Sequence, residues 1–108
     1  HNEGASAVAT GRRDRGAEII MFSRFIVRGR SMEPSFREGD YVIIQNLTSP
    51  KTGDVVVVNY TGKRMIKRVT KLENKKYITR GDNQLDGKIF AVSRKEVVGK
   101  VFFHARKK

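Results

Sequence analysis

The chain has 108 residues, 38% of them hydrophobic, a size that suits one compact domain and excludes two large ones. With no cysteine and only two histidines, His1 and His104, it excludes a disulfide framework and thiolate catalysis, and leaves no room for a histidine-rich zinc site; His104 reads as a surface residue in the basic tail ending in Arg106, Lys107 and Lys108. Its 23 Lys and Arg against 11 Asp and Glu give a net charge of +12, a field suited to nucleic acid, anionic lipid or acidic partners without choosing among them.

Residues 1–20 are small, polar and charged without a clear period, and read as a flexible tail or an appended leader. Within them Ala5-Ser6-Ala7 and Ala7-Val8-Ala9 have the Ala-x-Ala form of signal-peptide cleavage sites and could mimic a substrate, though a small-residue leader is the better explanation. The domain proper is expected over 21–108. From Phe22 onward short apolar runs rich in Val, Ile, Tyr and Phe alternate with turn signals. The runs are Phe25 to Val27, Tyr41 to Ile44, Val55 to Val58, Met65 to Val69, Tyr77 to Thr79 and Val97 to Phe103. Gly39-Asp40 and Gly53-Asp54 precede two of them, and Gly81-Asp82-Asn83 follows another. Thr61-Gly62-Lys63 predicts a hairpin loop, and Glu73-Asn74 the next tight turn. Helical periodicity is weak, with single turns expected at Ser31 to Arg37 and Ser93 to Glu96. The pattern predicts an all-β domain of curled antiparallel sheets, a partly open barrel. No apolar run approaches the roughly 20 residues of a membrane-spanning helix. The chain as given is expected to be soluble and cytoplasmic, or membrane-associated if an anchor lies outside it.

Two segments carry the chemistry. In Gly29-Arg30-Ser31-Met32-Glu33-Pro34-Ser35-Phe36, Ser31 stands where a strand meets a bend; Gly29 and Pro34 help shape that bend. A hydroxyl on a rigid bend is presented as a nucleophile needs. In Arg64-Met65-Ile66-Lys67-Arg68-Val69, strand alternation puts Lys67 on one face with Met65 and Val69. A lysine ordinarily titrates near 10.4, and burial among apolar side chains favours its neutral amine. Such an amine can take the proton of a serine hydroxyl attacking a carbonyl, the Ser-Lys variant of the serine nucleophile, with the Ser31 N–H as oxyanion donor.

Ser31-Met32-Glu33-Pro34-Ser35-Phe36 with Gly39-Asp40, then Gly53-Asp54-Val55-Val56, Ile66-Lys67-Arg68-Val69, Gly81-Asp82-Asn83 and Val98-Gly99-Lys100-Val101, resembles the type I signal peptidase family in motif order over about residues 22–103. Lys67 follows Ser31 by 36 positions, a compact spacing that looks more like the LexA-type self-cleaving proteases and small soluble maturation proteases. The resemblance implies a serine endopeptidase with Ser31 as nucleophile and Lys67 as base. It also implies a substrate added as a β-strand between the chains preceding these two residues and cut after a small residue. Gly29, Met32, Pro34, Met65 and Ile66 are then substrate-binding residues, and Arg68, Asp82, Asn83 and Asp86 support the site. Where the family continues Gly-Asp-Asn with Ser-x-Asp-Ser-Arg, this chain has Gln84-Leu85-Asp86-Gly87-Lys88, so Gln84 replaces a hydroxyl expected to orient the lysine. No metal or organic cofactor is expected. The partners implied are a peptide or precursor-protein substrate and an anionic membrane surface; nucleic acid is not expected, since the basic residues are scattered and no nucleic-acid-binding motif is present. Two alternatives stand beside this reading: a LexA-type self-cleaving regulator, and a noncatalytic basic β-domain that binds nucleic acid or anionic membrane.

Overall fold

The four-valine run Val55 to Val58 sets the centre of the architecture, because a strand apolar at every position must be covered on both faces. In the computed structural model, which describes residues 6–9 and 21–107, that run lies in a single eight-stranded sheet. The strands are β1 (Ser6–Ala9), β2 (Met21–Ile26), β3 (Tyr41–Gln45), β4 (Val55–Tyr60), β5 (Lys63–Glu73), β6 (Lys76–Arg80), β7 (Ile89–Val92) and β8 (Val97–Ala105). Their spatial order is β1-β2-β3-β8-β4-β5-β6-β7, and every neighbouring pair is antiparallel. The sheet has two ends, so the expected all-β, partly open architecture is what forms. Among the described residues the one helical element is a single 3-10 turn, Arg94–Glu96, whose Glu96 carboxylate accepts from the Ser93 N–H at 2.7 Å. No helix among the described residues is long and apolar enough to cross a membrane.

Both faces of β4 are buried. Val55 and Val57 join Phe25, Val27, Met32, Phe36, Val42 and Ile44 in one core cluster. Val56 and Val58 join Val69, Tyr77, Val92 and Val97 in the other. Register shifts at Ile43/Ile44, Val57/Val58 and Val69/Lys71 place irregularities in three ladders, the devices that bend a sheet. The β4–β5 loop is the two-residue Thr61-Gly62, with positive φ at both positions, the geometry that matches strand twist in a tight hairpin.

Three features were not read from the sequence. β7 forms a strand on β6. Ser6–Ala9, inside the stretch expected to be a tail, forms β1 and pairs with β2 from Ser6↔Arg24 to Ala9↔Met21. The other residues of that tail, Ala5 of the first Ala-x-Ala among them, lie outside the described residues. His104, expected at the surface of a basic tail, instead stacks on Phe36 (centroids 4.4 Å) and lies 2.9 Å from Asp40 Oδ2. Asp40, 2% exposed, also accepts from the Arg37 and Lys107 N–H groups, which tie the last strand to the bend after β2.

Pairing is incomplete at two places. β1 stops at Arg24, so from Phe25 onward β2 pairs with β3 alone. β6 joins β5 only from Arg68, so Lys63 to Lys67 pair with β4 alone. Among the described residues, each segment keeps one unpaired strand edge.

Candidate active site

Ser31 is held by anchors on both sides. Below it, the Val27 N–H donates to Asp40 O at 2.8 Å and the Gly39 N–H donates to Val27 O at 2.9 Å, closing the loop at its base. Within the loop, the Glu33 N–H donates to Arg30 O (3.1 Å) and the Phe36 N–H to Met32 O (2.9 Å), a turn rather than a helix. Met32 and Phe36 drive that turn into the core. Gly29 is needed for its backbone: its φ is +82° and the space beside it is open, so the conformation, not close approach, selects glycine. The Glu33-Pro34 peptide is cis.

A second segment grips the bend from the other side. The Asn83 N–H donates to Ser31 O at 2.8 Å, and Asn83 Nδ2 donates to Arg30 O at 2.9 Å. Gly81 is buried against Ser31; a β-carbon there would overlap the Ser31 carbonyl oxygen and lie 2.9 Å from Asp86 Oδ2.

Lys67 is 5% exposed. Its Nζ donates to Asp86 Oδ2 at 3.3 Å and lies 5.4 Å from the centre of the Phe90 ring. Asp86 is fixed in turn by the Lys88 N–H, which donates to Oδ1 at 3.1 Å. That hydrogen bond, with the charge of Lys67, holds the Asp86 carboxyl below its ordinary range against the opposing effect of burial. Arg68, on the opposite face of the strand, makes a bidentate pair with Asp82: Nε donates to Oδ1 at 2.8 Å and Nη2 to Oδ2 at 2.7 Å. Arg68 Nη1 also donates to Gly53 O at 2.8 Å. Asp82 is pulled below its usual range by Arg68 first, burial opposing, and then by a hydrogen bond from Ser35. One carboxylate thus ties β5 to the Ser31 bend.

These elements enclose a cavity of about 770 Å³ between the unpaired edge of β2 and that of β5. Gly29, Ser31, Met32, Met65, Ile66 and Lys67 all line it, and so does Asp86. Pro34 does not; with Asp82, Asn83 and Gln84 it lines a separate depression of about 680 Å³ beyond the bend. Gln84 is exposed, and the acceptor on the lysine amine is Asp86. Phe90 under the amine, Ser35 on Asp82 and Arg64 over the Phe25 ring were missed by the sequence reading. Only Phe90 left a signal, as the middle of the short apolar run Ile89 to Val92. No group of three or more His, Asp or Glu among the described residues is arranged to hold a metal ion.

The arrangement can support acyl transfer: a half-buried hydroxyl on a rigid bend, a buried amine and a carboxylate face one cavity flanked by two strand edges. Residues 23–102 match the peptidase S24-like family. The chain is also similar to the signal peptidase complex catalytic subunit of Neurospora crassa, at 31% identity over 93 residues, 71% of this chain and 54% of that protein. Against the corresponding subunit of Sclerotinia sclerotiorum the identity is 30% over 92 residues, 70% of this chain and 54% of the relative. The chain therefore spans about half the length of these curated relatives.

Proposed function

The chain belongs to the peptidase S24-like family, and we propose that it is a serine endopeptidase with a Ser31-Lys67 dyad, cutting extended leader or signal-type peptides after a small residue. The observation that carries this reading is the convergence of Ser31 and the buried Lys67 on one cavity between two unpaired strand edges. The likeness to signal peptidase complex catalytic subunits supports the substrate class.

An extended peptide enters the gap and takes main-chain hydrogen bonds from both edges. Ser31 Oγ attacks the scissile carbonyl carbon and gives its proton to Lys67 Nζ. The Ser31 N–H stabilises the oxyanion, a donor worth about 3–4 kcal/mol in characterised sites. Lys67 then protonates the departing amine, leaving an acyl-enzyme on Ser31. Water, losing a proton to Lys67, attacks the ester; the carbonyl carbon–Oγ bond breaks, Lys67 returns the proton to Ser31 Oγ, and the carboxylate product leaves. Asp86 holds the amine toward the cavity throughout.

The test is mass spectrometry of products from a library of Ala-x-Ala peptides, with Ser31→Ala and Lys67→Ala proteins as controls. Cleavage by the wild type and its loss in both variants is expected. Cleavage retained in either variant would overturn the dyad.

A further inference from the structure

The cavity is lined by Arg28, Lys63, Arg64, Lys67 and Lys88 against a single acid, Asp86, which is already paired with Lys67. Arg28, Lys63, Arg64 and Lys88 are exposed, and none has an ion-pair partner among the described residues. Elsewhere on the domain Arg30 pairs with Glu33, Lys71 with Glu73 and Lys100 with Asp54, while Lys75, Lys76, Arg94 and Lys95 also have no ion-pair partner among the described residues. The unpaired charge therefore includes a set at the rim of the groove, where apolar walls of Phe25, Met65 and Ile66 focus its field.

Position along the groove gives this charge a register. The Arg64 guanidinium sits 5.3 Å from the centre of the Phe25 ring, so it bridges the two strands at the end of the groove where β1 begins. Arg64 precedes Lys67 by three residues, roughly 10 Å along a strand; Lys63 is one residue further. A peptide strand lying on β5 with its scissile bond at Lys67 presents its third or fourth residue from the cut to Arg64 and Lys63. The Phe25 ring restrains the guanidinium, which lowers the cost of ordering it on a ligand.

We propose that the groove selects peptides carrying a carboxylate side chain three or four residues from the cut bond, read by Arg64 with help from Lys63. This rests on the protease reading above and adds a specificity that reading does not contain.

The test scans a neutral, cleavable Ala-x-Ala peptide with Glu, Gln or Lys at each of five positions on either side of the cut. Glu is expected to raise kcat/KM about tenfold over Gln at one position three or four residues away, as a charge-assisted contact would. Lys there is expected to lower it, and 0.5 M salt to erase most of the difference. In Arg64→Met, whose apolar stem can still lie on Phe25, the Glu-to-Gln ratio should fall toward one; in Arg64→Glu the preference should pass to Lys. Fluorescence anisotropy of the same peptides on the Ser31→Ala protein reads the ratio without turnover. Absence of all cleavage with a Glu preference in binding would sink the protease reading alone. A ratio of one in both assays, or an unchanged ratio in Arg64→Glu, would sink the charge preference alone.

Discussion

Lys67 Nζ and Asp86 Oδ2 lie 3.3 Å apart, joining the middle of a strand to a loop that also packs on Ser31. Both side chains are largely hidden, at 6% and 18% exposure, so removing one partner leaves the other poorly compensated. Asp86→Asn is therefore expected to destabilise the fold by about 2 kcal/mol, less than a fully buried pair would lose. Lys67→Met should cost a similar amount, and the double variant less than the sum. Urea midpoints of the four proteins measure this coupling; strict additivity would mean the pair is not energetically linked.

Gly81 occupies a place no other residue fits. A methyl group there overlaps the Ser31 carbonyl and presses on Asp86, so the loop carrying Asp82, Asn83 and Asp86 must retreat. Gly81→Ala is expected to cost about 1–3 kcal/mol, as overpacking does. It should also lower kcat more than it raises KM, since it disturbs Ser31 and Asp86 without touching the far end of the groove. Thermal melts and steady-state kinetics on a neutral peptide read both effects, and wild-type values in each would show that the contact relaxes freely.

Much of this framework was legible in the chain. The Val-rich runs and the Thr61-Gly62 loop carry local signals, period and turn chemistry, that survive folding unchanged. Ser31 and Lys67 stood out because an alcohol on a glycine-flanked bend and a lysine between apolar residues are locally odd. What escaped depends on curl. β7 is only four residues, too short a run to read alone, and exists because β6 offers it an edge. Arg64 reaches Phe25 only because distant strands bend toward each other. His104 looked like part of a basic tail until Asp40 and Phe36, far away in sequence, gave it a partner and a surface.

Acid should unfold the domain earlier than its cation count suggests. Asp40, Asp82 and Asp86 all hold their carboxyls below the ordinary range. For Asp40 the Arg37 N–H contributes most and His104 next; for Asp82 it is Arg68, and for Asp86 the Lys88 N–H. The unfolded chain then binds protons more readily than the native one. Their stabilisation is complete above the unfolded carboxylate value of about 3.9 and is lost as pH falls below it. Denaturant midpoints should be level from pH 7 to 5 and fall steeply between 4 and 2. In Asp40→Asn the domain should start less stable and lose less across that interval. A midpoint unchanged between pH 6 and 3 would remove these carboxylates from the account of stability.

A lysine that merely holds Asp86 and one that accepts the Ser31 proton predict different outcomes for a single substitution. Lys67→Arg keeps a positive charge and hydrogen-bond donors facing Asp86, so a purely structural role tolerates it. A guanidinium does not give up its proton in proteins and cannot serve as the base. The variant is therefore expected to retain the wild-type circular dichroism spectrum and to lose peptide cleavage by a factor of 10² or more, the usual scale of general-base catalysis. Cleavage by Lys67→Arg near the wild-type rate would assign the base to another group and reduce Lys67 to a strut for Asp86.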